Sequence, residues 1–315
     1  MPEKLTMRLS RLRAELVKRR LDGLIIGRED MFQGEEVPPS EERLAFISGF
    51  TGSAGYGVIL DDAAALFSDG RYTLQMANQS DPAVWSTHTL PEASLASWLT
   101  EAGADGKRIG VDPSLVTVAG YKRLEKACRQ AGATLLAQSE NPIDAVWGTG
   151  RPQRGAARPF RMPDRVAGQT MAEKLAVLDK KLADSGADAV VISRVDAVNW
   201  LVNIRGNDLA NTPVNLVFAL YHRDNGLLIL GDVASLAPVM EGDLANEAAI
   251  VALEQFDALI DPRAGYGEGA VIQFEPASLP QALYAPLAAC GAKLVEAACP
   301  VTVMKAQKNS AECAG

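Results

Sequence analysis

Histidine is scarce: His88 and His222 are the only two in the chain. Neither has a second histidine or a metal-spaced carboxylate beside it, so a helical HExxH site is excluded. His88 falls in a short strand after Trp85, and His222 sits next to the Asp224-Asn225-Gly226 turn. Both read as ordinary surface or edge residues. Cysteine is nearly as scarce. Cys128, Cys290, Cys299 and Cys313 form no CxxC pair and keep no regular spacing, which argues against a zinc knuckle or a disulfide framework. Reduced thiols in a cytoplasmic protein are expected. No apolar run approaches the roughly 18 residues of a membrane span, and no signal-peptide core precedes a cleavage site. Basic charge is in deficit, with 31 Lys and Arg against 39 Asp and Glu. A nucleic-acid or anionic-membrane surface is therefore not expected as the main partner.

What the chain has is two domains' worth of ordinary globular sequence, 48% hydrophobic and 22% charged over 315 residues. Residues 1–20 carry Lys4, Arg8, Arg11, Arg13, Lys18, Arg19 and Arg20 around Leu5, Leu9, Leu12 and Leu16. That spacing predicts an amphipathic helix with a solvated basic face.

The same pattern recurs 166 positions later. Leu9, Leu12 and Leu16 followed by Leu24-Ile25-Ile26 match Leu175, Leu178 and Leu182 followed by Val190-Val191-Ile192. A second strand is predicted in each copy, at Leu44–Ile47 and at Val198–Leu201. A hairpin then follows at Tyr56–Leu60 with Ala64–Phe67, and again at Leu216–Leu220 with Gly226–Leu230. Helices are predicted over Ala119–Gln130 and Leu279–Cys290. Each copy is thus an α/β domain, a mixed sheet flanked by helices. Residues 148–165, with three glycines, three prolines and five arginines, have linker composition.

Few segments suggest chemistry. The glycines at 49, 52, 55 and 57 precede strand residues rather than a helix, so they predict a tight strand-to-strand connection and not a phosphate loop. Asp69 reads as a helix cap, and Arg71 is expected to pair with an acid across the sheet. The polar cluster after the Val198–Leu201 segment, Asn203 to Asp208 with Asn211-Thr212-Pro213, is the candidate ligand-facing loop, since loops at strand ends often carry function, although Asn, Gly, Asp and Pro are also what any turn uses. Lys305 to Gly315 reads as the capped opening of a helix around Asn309 and Glu312 that the chain leaves short. This tail is expected to be frayed and to belong to a further domain.

Six stretches, in order along the chain, carry a family resemblance: ERLAFISGFTGSAG from Glu42, SDGRYTLQ from Ser68, GVDPSL from Gly110, ENPIDAVW from Glu140, WLVNIRGNDLANTPV from Trp200 and KAQKNSAE from Lys305. Through them the chain resembles the creatinase and prolidase family, in its cytosolic three-domain Xaa-Pro aminopeptidase form. The resemblance implies two tandem creatinase N-terminal domains of ribonuclease H-like fold: residues 1–147 and 166–304, with 148–165 as linker and 305–315 as the start of a pita-bread catalytic domain. It implies that the catalytic domain holds two divalent metals, manganese above all, through two Asp, one His and two Glu, with no cofactor in the present residues. The implied partners are that catalytic domain, peptides with proline in second position, and a second copy in a homodimer. Arg205, Asp208 and Asn211 would help wall the cleft. A catalytically inactive relative that binds a protein, as histone-chaperone subunits resembling this family do, is the competing reading. Dipeptidases and creatinases usually carry one such N-terminal domain, so the repeat disfavours them.

Overall fold

The computed structural model describes residues 5–155, 158–240, 243–260 and 269–314. Lys4 and Gly315 lie outside the described residues. The chain divides into two compact units between Arg154 and Gly155.

The first unit runs α1 (Leu5–Lys18), β1 (Gly23–Gly27), α2 (Arg43–Ser48), β2 (Tyr56–Leu60), β3 (Ala64–Asp69), α3 (Thr73–Gln79), β4 (Ser86–Leu90), α4 (Leu95–Glu101), β5 (Arg108–Val111), α5 (Val118–Gln130), β6 (Thr134–Ala137) and α6 (Pro142–Trp147). Its sheet has the order β4-β3-β2-β1-β5-β6. The β1–β2 and β2–β3 pairs are antiparallel, and the others are parallel. Leu9, Leu12 and Leu16 of α1 are buried against one face of the sheet with Leu24, Ile26 and Leu44. The opposite face packs Ile25, Val58 and Phe67 against Leu99 of α4 and Cys128 of α5. Alternation along β1 divides its residues between the two cores.

The second unit repeats this plan. After a short β7 (Phe160–Arg161) and α7 (Asp164–Ala167), it runs α8 (Met171–Ser185), β8 (Ala189–Ile192), α9 (Val195–Leu201), β9 (Ile204–Arg205), β10 (Phe218–His222), β11 (Gly226–Leu230), α10 (Val233–Leu236), α11 (Asp243–Glu247), β12 (Ala248–Val251), α12 (Phe256–Leu259), β13 (Val271–Phe274), α13 (Gln281–Ala289), β14 (Lys293–Glu296), α14 (Pro300–Ala306) and α15 (Ser310–Ala314). The sheet order β12-β11-β10-β8-β13-β14 is the first unit's order strand for strand. A capping box between Thr170 and Glu173 starts α8, and Gly186 in the left-handed region ends it.

Several expectations need correction. Leu44–Ile47 and Val198–Leu201 are helical, inside α2 and α9. A four-residue apolar run is compatible with either state. Here Leu44 and Ile47, and Val198 and Leu201, share a helical face and are buried on it. Consequently the glycine-rich segment from Gly49 joins a helix to a strand. Gly49 (φ 83°) and Gly55 (φ 141°) still supply the positive φ that the connection requires.

The basic face of α1 is not simply solvated. Arg8 donates to the Phe46 carbonyl (2.8 Å), Arg11 to that of Val146 (3.1 Å) and Arg13 to that of Leu60 (2.8 Å). Phe46 and Val146 lie in the last turns of α2 and α6, where carbonyls lack intrahelical partners. His222 is buried, 6% exposed, rather than at the surface. Arg71 pairs with Asp69, two residues before it, at 2.9 Å.

The expected linker is split. Arg151 is fastened into the first unit by Asp144 and Glu41, both at 2.9 Å, whereas Phe160–Arg161 pairs with Ile204–Arg205 of the second. The tail is not frayed: α14 crosses position 305, and α15 is capped and docked on the second unit. Its contacts replace, for a short helix, the stability that length would give.

Candidate functional site

The candidate residues lie where α9 gives way to β9 and a loop that returns to β10. The turn at Asn203 has φ 51°, which Asn tolerates better than most residues. Its side chain is held at both ends, with Nδ2 donating to the Gln169 carbonyl (2.8 Å) and Oδ1 accepting from Lys174 Nζ. Lys174 projects from the apolar face of α8 and is 1% exposed. It also donates to the Trp200 carbonyl (2.7 Å) and stands 4.0 Å from the Trp200 ring centroid. Burial pushes its pKa down to about 8, against the pull of Glu312.

Arg205 is half-buried, and its Nη1 donates to the carbonyls of Asn199 (3.1 Å) and Ile204 (2.7 Å). Burial lowers its pKa, while nearby Glu312 opposes that. Asp208 closes the base of the loop: Oδ2 accepts from the Leu216 N–H (2.6 Å), and its own N–H donates to the Val214 carbonyl (3.2 Å). Asn211 is exposed farther along the loop. The three are thus on one loop, but Arg205 and Asp208 are engaged with backbone groups that shape it.

Residues that the sequence pattern did not single out do much of this shaping. Asn199 Oδ1 accepts from the Asn215 backbone N–H (2.9 Å) and Nδ2 (3.0 Å), and Asn199 Nδ2 donates to the Asn215 carbonyl (2.9 Å). Gly206 passes so close that a Cβ there would lie 2.0 Å from Asn215 Oδ1. Trp200 Nε1 donates to Glu312 Oε1 at 2.7 Å, and Asn309 Nδ2 donates to the Ala167 carbonyl at 2.8 Å. The available signal was Lys174 itself, three residues after Met171 and four before Leu178, on the buried stripe.

This arrangement positions a loop. Among the described residues no group of three or more His, Cys, Asp or Glu could hold a metal ion. His88 stacks on Phe67 and bonds Ser86 Oγ at 2.9 Å, and the Asp224 N–H donates to His222 Nδ1 at 3.1 Å. No described helix is long and apolar enough to cross a membrane.

Comparison with known proteins meets the resemblance drawn from the sequence. The creatinase/prolidase N-terminal domain model matches residues 8–146, and a second model of the same description matches residues 150–312. A probable Xaa-Pro aminopeptidase P of Penicillium rubens is 34% identical over 98% of this chain, which spans 51% of that relative. Its counterpart in Talaromyces stipitatus is also 34% identical over 98% of the chain and 48% of the relative. The chain therefore spans about half the length of the curated relatives it matches. Among solved structures, X-prolyl aminopeptidase from Caenorhabditis elegans, a cytosolic enzyme with a di-nuclear active site, superposes with a TM-score of 0.86. It is 23% identical, with 99% of this chain and 52% of that one covered, which shows the shared fold.

Proposed function

We propose, for a chain that belongs to the creatinase/prolidase N-terminal domain family, that its two domains are the noncatalytic N-terminal region of an Xaa-Pro aminopeptidase. They shape access to a peptide-cleaving centre carried by a separate catalytic domain. The observation that carries this reading is the match over 98% of the chain to about half of a probable Xaa-Pro aminopeptidase P.

On this reading the two divalent metals, manganese among them, are held by the catalytic domain. The whole protein removes the residue preceding proline from peptides in the cytoplasm, and a homodimer is its working form. Arg205, Asp208 and Asn211 present one edge of the 205–216 loop to the cleft. The interior bonds of Arg205 and Asp208 keep that edge in place, and exposed Asn211 meets the peptide.

The 315-residue chain, incubated with Arg-Pro-Pro and manganese, should release no arginine. Metal-dependent turnover by the chain alone would sink the proposal. In the full-length enzyme Asn211→Ala should raise KM several-fold while the protein stays folded. Unaltered KM and kcat would remove the loop from the cleft wall.

A further inference from the structure

At the carboxyl ends of β1 and β5 the first unit encloses a cavity of about 320 Å³. The two strands lie side by side in parallel. After β1 the chain leads to α2, whose Leu44 and Ile47 pack on one face of the sheet. After β5 it leads to α5, whose Cys128 packs on the other. Chain segments that part at a reversal of strand order open a crevice there, and open α/β sheets bind ligands in such crevices. Ile25, Leu95, Leu115, Leu124 and Ala127 give this one an apolar lining, and Glu29, Asp112 and Arg123 supply charge.

In the second unit the corresponding strand ends are joined by an ion pair. In register, Arg28 corresponds to Arg194, and Asp112 to Glu275. Arg194 Nε bridges to Glu275 Oε2 at 2.8 Å, joining the ends of β8 and β13. In the first unit Arg28 turns away, and its Nη1 donates to the Glu35 carbonyl at 2.6 Å. Asp112 is held instead by the Ser114 N–H (2.9 Å) and the Asn141 amide (3.1 Å). Glu29 adds a second carboxylate, folded back so closely that a Cβ on Gly27 would lie 2.5 Å from its Oε2. Burial holds both carboxyls above their ordinary range, a cost that a cation in the crevice would offset. Arg123 lies on the exposed side, with Nη2 4.0 Å from where a Gly120 Cβ would stand. There it adds positive charge to the first turns of the 13-residue α5, whose N-terminus also favours an anion.

We propose that this crevice binds a free α-amino acid with an apolar side chain, its ammonium at Glu29 and Asp112, its carboxylate at Arg123 and its side chain against Ile25, Leu95 and Leu124. The volume is at the small end of ligand pockets, roughly 300–1,000 Å³, which suits a single amino acid. The inference stands apart from the peptidase reading, since it uses the first unit alone.

Titration calorimetry of the 315-residue protein with L-leucine tests it. Saturable binding at one site per chain is expected, with 3-methylbutylamine and 4-methylpentanoate each at least tenfold weaker. Glu29→Gln and Arg123→Gln should each weaken L-leucine at least tenfold, and Ala127→Phe should abolish uptake by filling the floor. If Ala127→Phe does not fold, Arg123→Gln decides, because Arg123 is exposed. Absence of saturable binding, binding unchanged in folded Ala127→Phe or in Arg123→Gln, or amine binding as tight as L-leucine would overturn the proposal.

Discussion

The indole N–H of Trp200 donates to the carboxylate of Glu312 at 2.7 Å, across 112 positions of sequence. The same carboxylate accepts from the Asn309 N–H (3.0 Å), and Asn309 Oδ1 accepts from the Glu312 N–H (2.9 Å). A reciprocal capping box is therefore also a tertiary clamp that fixes α15 to the second unit.

Glu312→Ala removes both roles, and about 1–2 kcal/mol of stability should go with it. Amide exchange in residues 310–314 should accelerate well beyond that of α8. Exchange no faster than in the wild type would show that the clamp is dispensable.

Burial raises the Glu312 carboxyl pKa, but the Trp200 and Asn309 donors outweigh it and leave the group below its ordinary range. A depressed carboxyl contributes stability above its unfolded pKa and loses it as pH falls through the folded one. The wild-type advantage over Glu312→Gln should therefore shrink below about pH 4.5. Urea titrations at pH 3.5 and pH 7 check this.

Lys174 behaves in the opposite sense. Its folded pKa near 8 lies below the ordinary 10.5, so between those values the unfolded chain holds the extra proton. Stability should rise across pH 8 to 10.5 by about 3 kcal/mol from this residue. Lys174→Met should lose that rise in urea titrations run in parallel with the wild type.

In the first unit Arg43, 5% exposed, bonds Asp144 Oδ1 at 2.7 Å, and Arg151 shares Asp144 and Glu41 with it. Asp144→Ala leaves the buried guanidinium with Glu41 as its remaining carboxylate and should cost about 3 kcal/mol. Arg151→Ala should cost about 1 kcal/mol, because its own side chain is more exposed. Equal losses would mean that burial does not set the difference.

Gly49→Ala should destabilise by about 1–2 kcal/mol. The position has φ 83°, and its Cβ would stand 2.7 Å from the Gln79 backbone carbonyl oxygen. A thermal midpoint equal to that of wild type would refute this.

Much of the scaffold was legible because it is periodic. Leu9, Leu12 and Leu16 announced α1, the hairpin of Tyr56–Leu60 with Ala64–Phe67 announced β2 and β3, and the repeat announced the second sheet. Leu44–Ile47 and Val198–Leu201 misled because four apolar residues do not distinguish a short helix from a strand. The loop at Arg205 was visible as a polar cluster, but its support was not. Lys174, Asn199 and Asn215 are polar residues that only tertiary packing brings inside, and polarity alone reads as exposure. Glu29 and Asp112 are 83 positions apart, and the β1–β5 pairing brings both to the lining of one cavity.

Cys128, Cys290 and Cys299 are buried while Cys313 is exposed on α15. Burial also pushes the Cys128 and Cys299 thiols above their usual range, away from the reactive thiolate. A maleimide dye added to the folded protein should thus label the α15 helix selectively, giving a native fluorescent reporter of whether that helix is seated or released.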